Sequence, residues 1–346
     1  MALSLPFAEG VPLSGPLFRK WVNYRVVLPT LAPLPLPLGL ALAHLRGRWR
    51  QRQRPDLVIR MLESLQKQLD IDEGTARDLV RRIFENKSRE EWEAHLIGCL
   101  RPSFLARHVT FEGATYLDQA LARGRGAILS FSHFGPFPMA MALLGMKGYQ
   151  NHVVAGAYGP PHTDPIETWH IHRKVTGICR WMRGEFYFVG VGPSTELYRR
   201  GWPFQSRPLE PRRGASAWAR GVLSANGVLM IAVDAQLGES DRLTVEFFGR
   251  PTRFPYSFLK LAQETDAIVL PQAILQEPKG VGYRIRIDPP LPLPKGQSRE
   301  AYREALQQAI DFHVDCIRRY PDHWSHLDTP AHWANLEGMW SHGLGS

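Results

Sequence analysis

The chain has 346 residues, 44% apolar and 22% charged, with a formal net charge of +9 and a pI near 9.6. That composition excludes global disorder, and the length suits one large domain with an appended segment. The basic balance leaves three classes of partner: nucleic acid, anionic lipid, and an acidic protein or phosphate-bearing substrate.

Cys99, Cys179 and Cys316 are odd in number and far apart, and no CxxC occurs. Neither a zinc ribbon nor a redox pair is expected, and three free thiols fit a reducing compartment. The opening MALSLPFAEG carries no basic residue ahead of an apolar stretch, so a secretory leader is not expected.

Val26 to Leu45 reads VVLPTLAPLPLPLGLALAHL, long enough for a membrane span but interrupted by Pro29, Pro33, Pro35 and Pro37. Prolines at that density remove helix hydrogen bonds that lipid cannot replace, so a surface-lying hairpin is the expectation. Arg46, Arg48, Arg50, Arg52 and Arg54 follow, and no acid occurs between Gly10 and Pro55. An apolar stretch beside a basic run suits docking on anionic lipid; the competing reading is a packed segment with a solvated arginine run.

Residues 56–100 read as helical, with Leu57, Val58, Met61, Leu62, Leu65 and Leu69 on one face. Ser88-Arg89-Glu90-Glu91 has the spacing of a capping box and predicts a new helix there. From Val109 onward short β-rich runs alternate with helical ones. The runs 126–131, 152–157, 228–233 and 267–272 read as buried strands, and 114–123, 137–146, 214–225 and 256–265 as helices. Tyr283–Ile287 alternates like an edge strand. Residues 193–213, rich in Gly, Pro and Arg, read as a long loop, and the proline-rich 289–295 as a linker to a last helix over 298–320. The fold class expected is α/β, a mixed, mostly parallel sheet flanked by helices, with an N-terminal apolar docking segment. The divisions are 1–55 (docking segment), 56–105 (helical layer), 106–330 (α/β domain) and 331–346 (tail).

Three segments carry candidate chemistry. His133, in Ser132-His-Phe-Gly-Pro-Phe-Pro-Met139, lies just past a buried strand, where open α/β sheets bind ligands and a histidine can act as a general base. Asp234-Ala-Gln236 lies just past another. Phe247-Phe248-Gly249-Arg250 sets two aromatics beside a glycine and a cation, suited to an acyl-chain pocket and a phosphate or, alternatively, to a packed turn. His162, Asp164, Glu167, His170 and His172 are metal-like in composition but fit no standard zinc spacing, and no metal is expected. His313 reads as a core histidine, and His323 and His326 as parts of a packed turn around Trp324. No P-loop, GxGxxG, GxSxG or HExxH is present.

Taken in order, these segments resemble the lysophospholipid acyltransferase superfamily, in particular its lipid A biosynthesis branch. The resemblance rests on His133-Phe-Gly-Pro-Phe-Pro138, Asp234-Ala-Gln236, Phe247-Phe-Gly-Arg-Pro-Thr252, Pro321-Asp-His-Trp324 and Phe111-Glu-Gly113, and covers about residues 25 to 330. It implies a glycerol-3-phosphate acyltransferase-like fold and transfer of a fatty acyl group from acyl carrier protein or coenzyme A to a hydroxyl or amine of a lipid or related acceptor. It also implies no cofactor and a place of work at the cytoplasmic face of the inner membrane; with no recognition motif in the sequence, no nucleic-acid partner is expected. His133 and Asp234 would be catalytic, and Phe134, Gly135, Gln236, Phe247, Phe248, Gly249, Arg250 and Thr252 would meet substrate. The sequence departs from the pattern at Pro138, where the family has the acid that orients its histidine, at Tyr158-Gly159-Pro160, and at 193–213. Asp234 and Glu246 are the candidate replacements for the acid. A repurposed, non-catalytic acyl- or lipid-binding relative is the alternative that Pro138 raises.

Overall fold

A computed structural model describes residues 15–156, 165–189, 192–193, 214–235, 241–277, 281–293, 296 and 298–327. Gln236, His162, Asp164, Tyr158-Gly159-Pro160, the tail and most of 193–213 lie outside them.

The N-terminal part is a helical hairpin. Helix α1 (Pro16–Val22) runs through a π-helical turn (Asn23–Val27) into α2 (Leu28–Leu31), and α3 (Leu36–Arg52) returns after a turn. The wide π turn sits immediately before Pro29, whose ring would crowd the carbonyl four residues back in a regular helix. No helix among the described residues is long and apolar enough to cross a membrane.

Helix α4 (Pro55–Leu69) leads to α5 (Glu73–Leu96). Asp72 caps α5 by accepting from the Thr75 amide at 3.0 Å. The helix expected to begin at Ser88 does not: α5 is continuous, and the Ser88 hydroxyl, buried in mid-helix, accepts from Arg46 Nη1 at 2.7 Å. Gly39, Ala43 and Gly47 form a stripe at four-residue spacing that lets α3 lie close against α5. A Cβ on Gly39 would come 2.3 Å from the Trp92 ring, and one on Gly47 2.6 Å from the Phe84 carbonyl oxygen.

This contact redirects part of the arginine run. Arg46 and Arg50 turn inward to Glu91 at 2.6 and 2.7 Å, and Arg48 meets Glu85 at 2.6 Å. Burial alone would raise the Glu91 carboxyl, but Arg50 and Arg46 outweigh it and lower it to about 2. Arg46 and Arg50 are therefore partners of a buried carboxylate and not part of an outward basic face. Arg52 and Arg54 remain exposed.

The rest of the chain alternates: α6 (Ser103–His108), β1 (Val109–Glu112), α7 (Ala114–Leu121), β2 (Ala127–Phe131), α8 (Phe137–Lys147), β3 (Asn151–Ala155), α9 (Pro165–Trp181), β4 (Phe186–Phe188), β5 (Gly192–Pro193), α10 (Ala215–Ser224), β6 (Val228–Ala232), β7 (Arg242–Phe247), β8 (Arg250–Pro255), α11 (Ser257–Thr265), β9 (Ile268–Gln276), β10 (Tyr283–Ile287) and α12 (Arg299–Arg319). Among the described residues eight strands form one sheet in the order β1-β10-β9-β2-β6-β3-β4-β5, and β7 and β8 pair separately. The central run from β9 to β4 is parallel, while β10 and β5 pair antiparallel to β9 and β4. Strand β10, expected at an edge, is interior because β1 adds beside it in parallel.

Side chains of the central strands alternate between two cores. Ile128, Leu229 and Val269 face α10, α11, α12 and the β7–β8 hairpin, while Leu129, Met230 and Leu270 face α8 and α9. Helix α5 reaches both cores, and α3 packs into the second.

Between α5 and α9 lies a buried histidine pair. His95 Nε2 is 3.2 Å from His170 Nδ1, and the His170 ring stacks on Tyr24 at 4.3 Å, tying the N-terminal hairpin to the domain. Burial depresses both imidazoles to about 3. Both are neutral in the folded protein, so their contribution is complete above the unfolded value of about 6.5 and is lost as pH falls from there towards 3. Between pH 7 and 5.5 the pair is expected to cost about 2–3 kcal/mol of unfolding free energy. Urea unfolding across that range should show the loss, and His170→Phe, which can still stack on Tyr24, should reduce it by about 1 kcal/mol; an unchanged pH slope in the variant would remove the pair from the acid response.

Candidate active site

The register of the sheet brings the two candidate catalytic residues together. Strands β2 and β6 are adjacent and parallel, with Phe131 opposite Ala232. Two residues further along each chain stand His133 and Asp234, at the carboxyl ends of the strands. Asp234 Oδ1 lies 2.8 Å from His133 Nδ1, and the Asp234 carboxylate also accepts from the His133 amide at 3.1 and 2.9 Å. Asp234 is 4% exposed and His133 31%. Burial by itself would raise the Asp234 carboxyl; the charge and hydrogen bond of His133, with the His326 ring close by, outweigh it and hold it well below the usual carboxylate range. Asp234 is thus an anion held against the imidazole. Glu246, the other acid considered, is exposed on β7, and its backbone pairs with Gln307.

The turn bearing His133 is clamped by the segment after α12. The Ser325 amide and hydroxyl both donate to the His133 carbonyl at 2.9 Å, and the Gly135 amide donates to the His323 carbonyl at 2.8 Å. Phe134 and Trp324 form an isolated antiparallel bridge. Trp324 Nε1 donates to Asp234 Oδ2 at 3.3 Å, and His326 Nε2 lies 3.3 Å from the same oxygen. Gly135 needs its glycine: its φ is 62°, and a Cβ would come 2.0 Å from the Ile274 carbonyl oxygen.

His133 stands on the wall of a cleft lined by Phe131, Phe137, Met141, Val153, Val175 and Phe186. Among the described residues that line it, His133 and Lys174 are the ionisable ones, and Pro138 is part of the apolar wall. With Nδ1 directed to Asp234, Nε2 is the nitrogen that carries the lone pair of the neutral ring. The arrangement can accept a proton beside an apolar channel. One ligand atom from each of His133, Asp234 and His326 lies within 4.8 Å of the others, close enough to hold a metal ion. Asp234, however, is already met by the His133 amide, His133 Nδ1 and Trp324 Nε1, which is the pattern of a hydrogen-bonded carboxylate.

The other residues expected to meet substrate lie away from the cleft lining or in the turn beside it. Phe134, Phe247 and Thr252 are buried, Phe134 against His323 and Phe247 edge-on to Trp324, while the Thr252 hydroxyl donates to the Arg250 carbonyl. Phe248 and Gly249 form the two-residue turn of the β7–β8 hairpin with φ of 53° and 76°, the positive pair that a type I′ turn requires. A phenylalanine in that region is strained; Phe248 is held there by Trp324 at 6.2 Å and by Arg318 over its ring at 5.6 Å. Arg250 is exposed on β8. His326 and Ser325 were missed as site residues. The signal was the segment Pro321-Asp-His-Trp324, which carries part of the resemblance but whose neighbours read in sequence as a packed turn. In the metal-like cluster, Glu167 pairs with Lys20 and His170 with His95.

Residues 217–329, which include Asp234 and Trp324, match the family model for bacterial lipid A biosynthesis acyltransferases. A phosphatidylinositol mannoside acyltransferase of Mycobacterium tuberculosis is 29% identical over 229 residues, 65% of this chain and 60% of that protein. The chain therefore aligns with less than two thirds of that relative's length. The protein of the same description in Mycolicibacterium smegmatis is 27% identical over 262 residues, 75% of this chain and 74% of its own. The crystal structure of the 1-acyl-sn-glycerophosphate acyltransferase PlsC from Thermotoga maritima superposes with a TM-score of 0.34 at 15% identity, covering 82% of this chain and 98% of that one.

Removing the carboxylate strands its donors. Asp234→Ala is expected to lower the unfolding free energy by about 2–4 kcal/mol, because the His133 amide and Trp324 Nε1 lose their acceptor in a buried place. Asp234→Asn, of equal shape, should cost less. Equal stability of Asp234→Ala and wild type in urea titration would contradict this account.

Proposed function

We propose that the chain is an acyltransferase that moves a fatty acyl group from an acyl thioester to a hydroxyl or amine of a lipid or related acceptor, with His133 as general base. The observation that carries the reading is the His133–Asp234 contact at the edge of an apolar cleft, off the ends of adjacent parallel strands. The family match over 217–329 and the acyltransferase names of the relatives support it. The relatives' printed acceptor, phosphatidylinositol mannoside, makes a sugar hydroxyl on a lipid the first acceptor to try.

In the proposed reaction Nε2 of His133 takes the proton of the acceptor hydroxyl as its oxygen attacks the thioester carbonyl. Asp234 accepts from Nδ1–H, fixes the tautomer and stabilises the imidazolium that forms. Collapse of the tetrahedral adduct breaks the carbon–sulfur bond, and the imidazolium returns its proton to the thiolate. The products are an ester and a free thiol, and His133 is again neutral. The apolar cleft takes the acyl chain. An acyl carrier protein or coenzyme A would serve as donor, and an acidic carrier suits the net charge of +9. The alternative of a non-catalytic relative rested on Pro138; Asp234 supplies a carboxylate to Nδ1 from the neighbouring strand.

We place the work at a membrane surface, on the cytoplasmic face. Phe18, Val26, Leu38, Leu45, Trp49 and Ile59 are exposed apolar side chains of the N-terminal helices, and Arg52 and Arg54 stand exposed in the same region.

Purified protein given acyl thioester and glycolipid acceptor, with ester followed by mass spectrometry, tests the reading. His133→Ala should lose about 10²–10⁴ in kcat, and Asp234→Asn should lose a large part of the same factor while the protein stays folded. Undiminished product from His133→Ala would end the assignment of the base. Restoring an acid at the family's position by Pro138→Glu should lower activity, since it puts a charge on the apolar wall and Asp234 already serves Nδ1. A gain in kcat would mean that Asp234 is a poor substitute.

A further inference from the structure

The geometry points to His326 as a positioning residue that holds the Asp234 carboxylate in place on His133, so that one buried anion is shared between two imidazoles. The inference rests on the general-base reading of His133 and adds a residue to it.

Asp234 presents one oxygen to each ring. Oδ1 lies 2.8 Å from His133 Nδ1, and Oδ2 lies 3.3 Å from His326 Nε2, with Trp324 Nε1 on Oδ2 at the same distance. The two rings meet edge-on, 5.7 Å apart and inclined at 73°. His326 is 12% exposed and is absent from the lining of the cleft, so it acts through Asp234 and not on substrate. A histidine present for packing alone has no need to aim a nitrogen at the carboxylate, since the Trp324 indole already covers Oδ2.

The consequence follows from sharing. An imidazole nitrogen at ion-pair distance from Oδ2 draws off part of the carboxylate's charge and helps to hold its plane. Without His326 more of the carboxylate's charge falls on the His133 ring, whose imidazolium is then favoured, and the plane is left to the His133 amide and the Trp324 indole. His133 would be protonated over more of the neutral range and less often available as a base. A glutamine at 326 can donate from its side-chain amide and should preserve most of this arrangement.

The test is a pH titration of the His133 ring by nitrogen NMR on full-length protein with labelled histidine, beside steady-state kinetics, for wild type, His326→Ala and His326→Gln. In His326→Ala the His133 midpoint should move to higher pH by about half a unit. Its kcat at pH 7 should fall about three- to tenfold, with KM for the acyl donor changed less than about twofold. His326→Gln should recover most of both. A wild-type His133 midpoint in His326→Ala, or equal loss of kcat in both variants with no movement of the midpoint, would overturn the inference. If His326→Ala does not fold, His326→Phe, which keeps a packed ring but has no donor, takes its place against the same midpoint. The titration needs no substrate: a moved midpoint in a protein that transfers no acyl group would sink the proposed function and leave the role of His326 standing.

Discussion

A carboxylate almost wholly removed from water must be met by donors on nearly every side, and Asp234 is met by groups from two distant stretches of chain. The His133 amide and imidazole come from the end of β2, and the Trp324 indole and His326 ring come from beyond α12. Losing any one leaves part of a buried charge unpaired, which costs more than an ordinary hydrogen bond contributes. The C-terminal turn, the clamp from Ser325 to the His133 carbonyl and the bridge between Phe134 and Trp324 are therefore one construction around this anion. Packing of Phe247 and Phe248 on Trp324 extends it to the β7–β8 hairpin, and the strain at Phe248 is held by that packing.

The N-terminal hairpin is joined to the domain by a second buried anion on the same principle. Glu91 takes both Arg46 and Arg50, and Gly39, Ala43 and Gly47 bring the helix backbones close enough for those arginines to reach it. Ion pairs of this kind add little net stability over an apolar contact, but they make any other arrangement expensive. They fix how the hairpin sits on α5 and hence which of its apolar residues, Leu45 and Trp49 among them, face outward.

The strands and helices of the α/β part were legible because their signals are local. Continuous apolar runs and helical spacing put β2, β3, β6, β9 and β10 and helices α7, α8, α10, α11 and α12 within a few residues of where they lie, while α6, α9, β4, β7 and β8 were not assigned. Strand β1 was missed because its alternation, Val-Thr-Phe-Glu, runs for only four residues, and β10 then passed for an edge. Ser88 had a helix-start spacing, but the buried interface with α3 overrode it. The inward turn of Arg46 and Arg50 was hidden because their partner lies more than forty residues on, in a helix that itself carries both signs of charge. His133 and Asp234 could each be singled out from their strands, while their contact depends on which strand pairs with which. His326 and Trp324 reach Asp234 across about ninety residues, and a turn of mixed polar residues gives no sign of that.

Pro138 shows how the site tolerates a departure from the pattern the sequence resembles. In that pattern the acid orienting the histidine stands five residues after it, which here falls in the first turn of α8. An acid there would gain from the helix N-terminus, but it would also be a charge on the wall of the cleft. Proline at that place suits the start of a helix, where its missing amide has no partner to lose. Moving the carboxylate to the end of β6 keeps it within reach of Nδ1, because the parallel register puts residues 133 and 234 opposite one another. It also moves the charge off the cleft wall and into a pocket of protein donors. The wall beside His133 becomes apolar, which favours a substrate whose bulk is hydrocarbon. The same exchange makes the site depend on groups outside the strand–turn–helix unit. An acid in α8 would be carried by the local chain, whereas Asp234 works only when β6 and the C-terminal turn are both in place, so base and fold are assembled together.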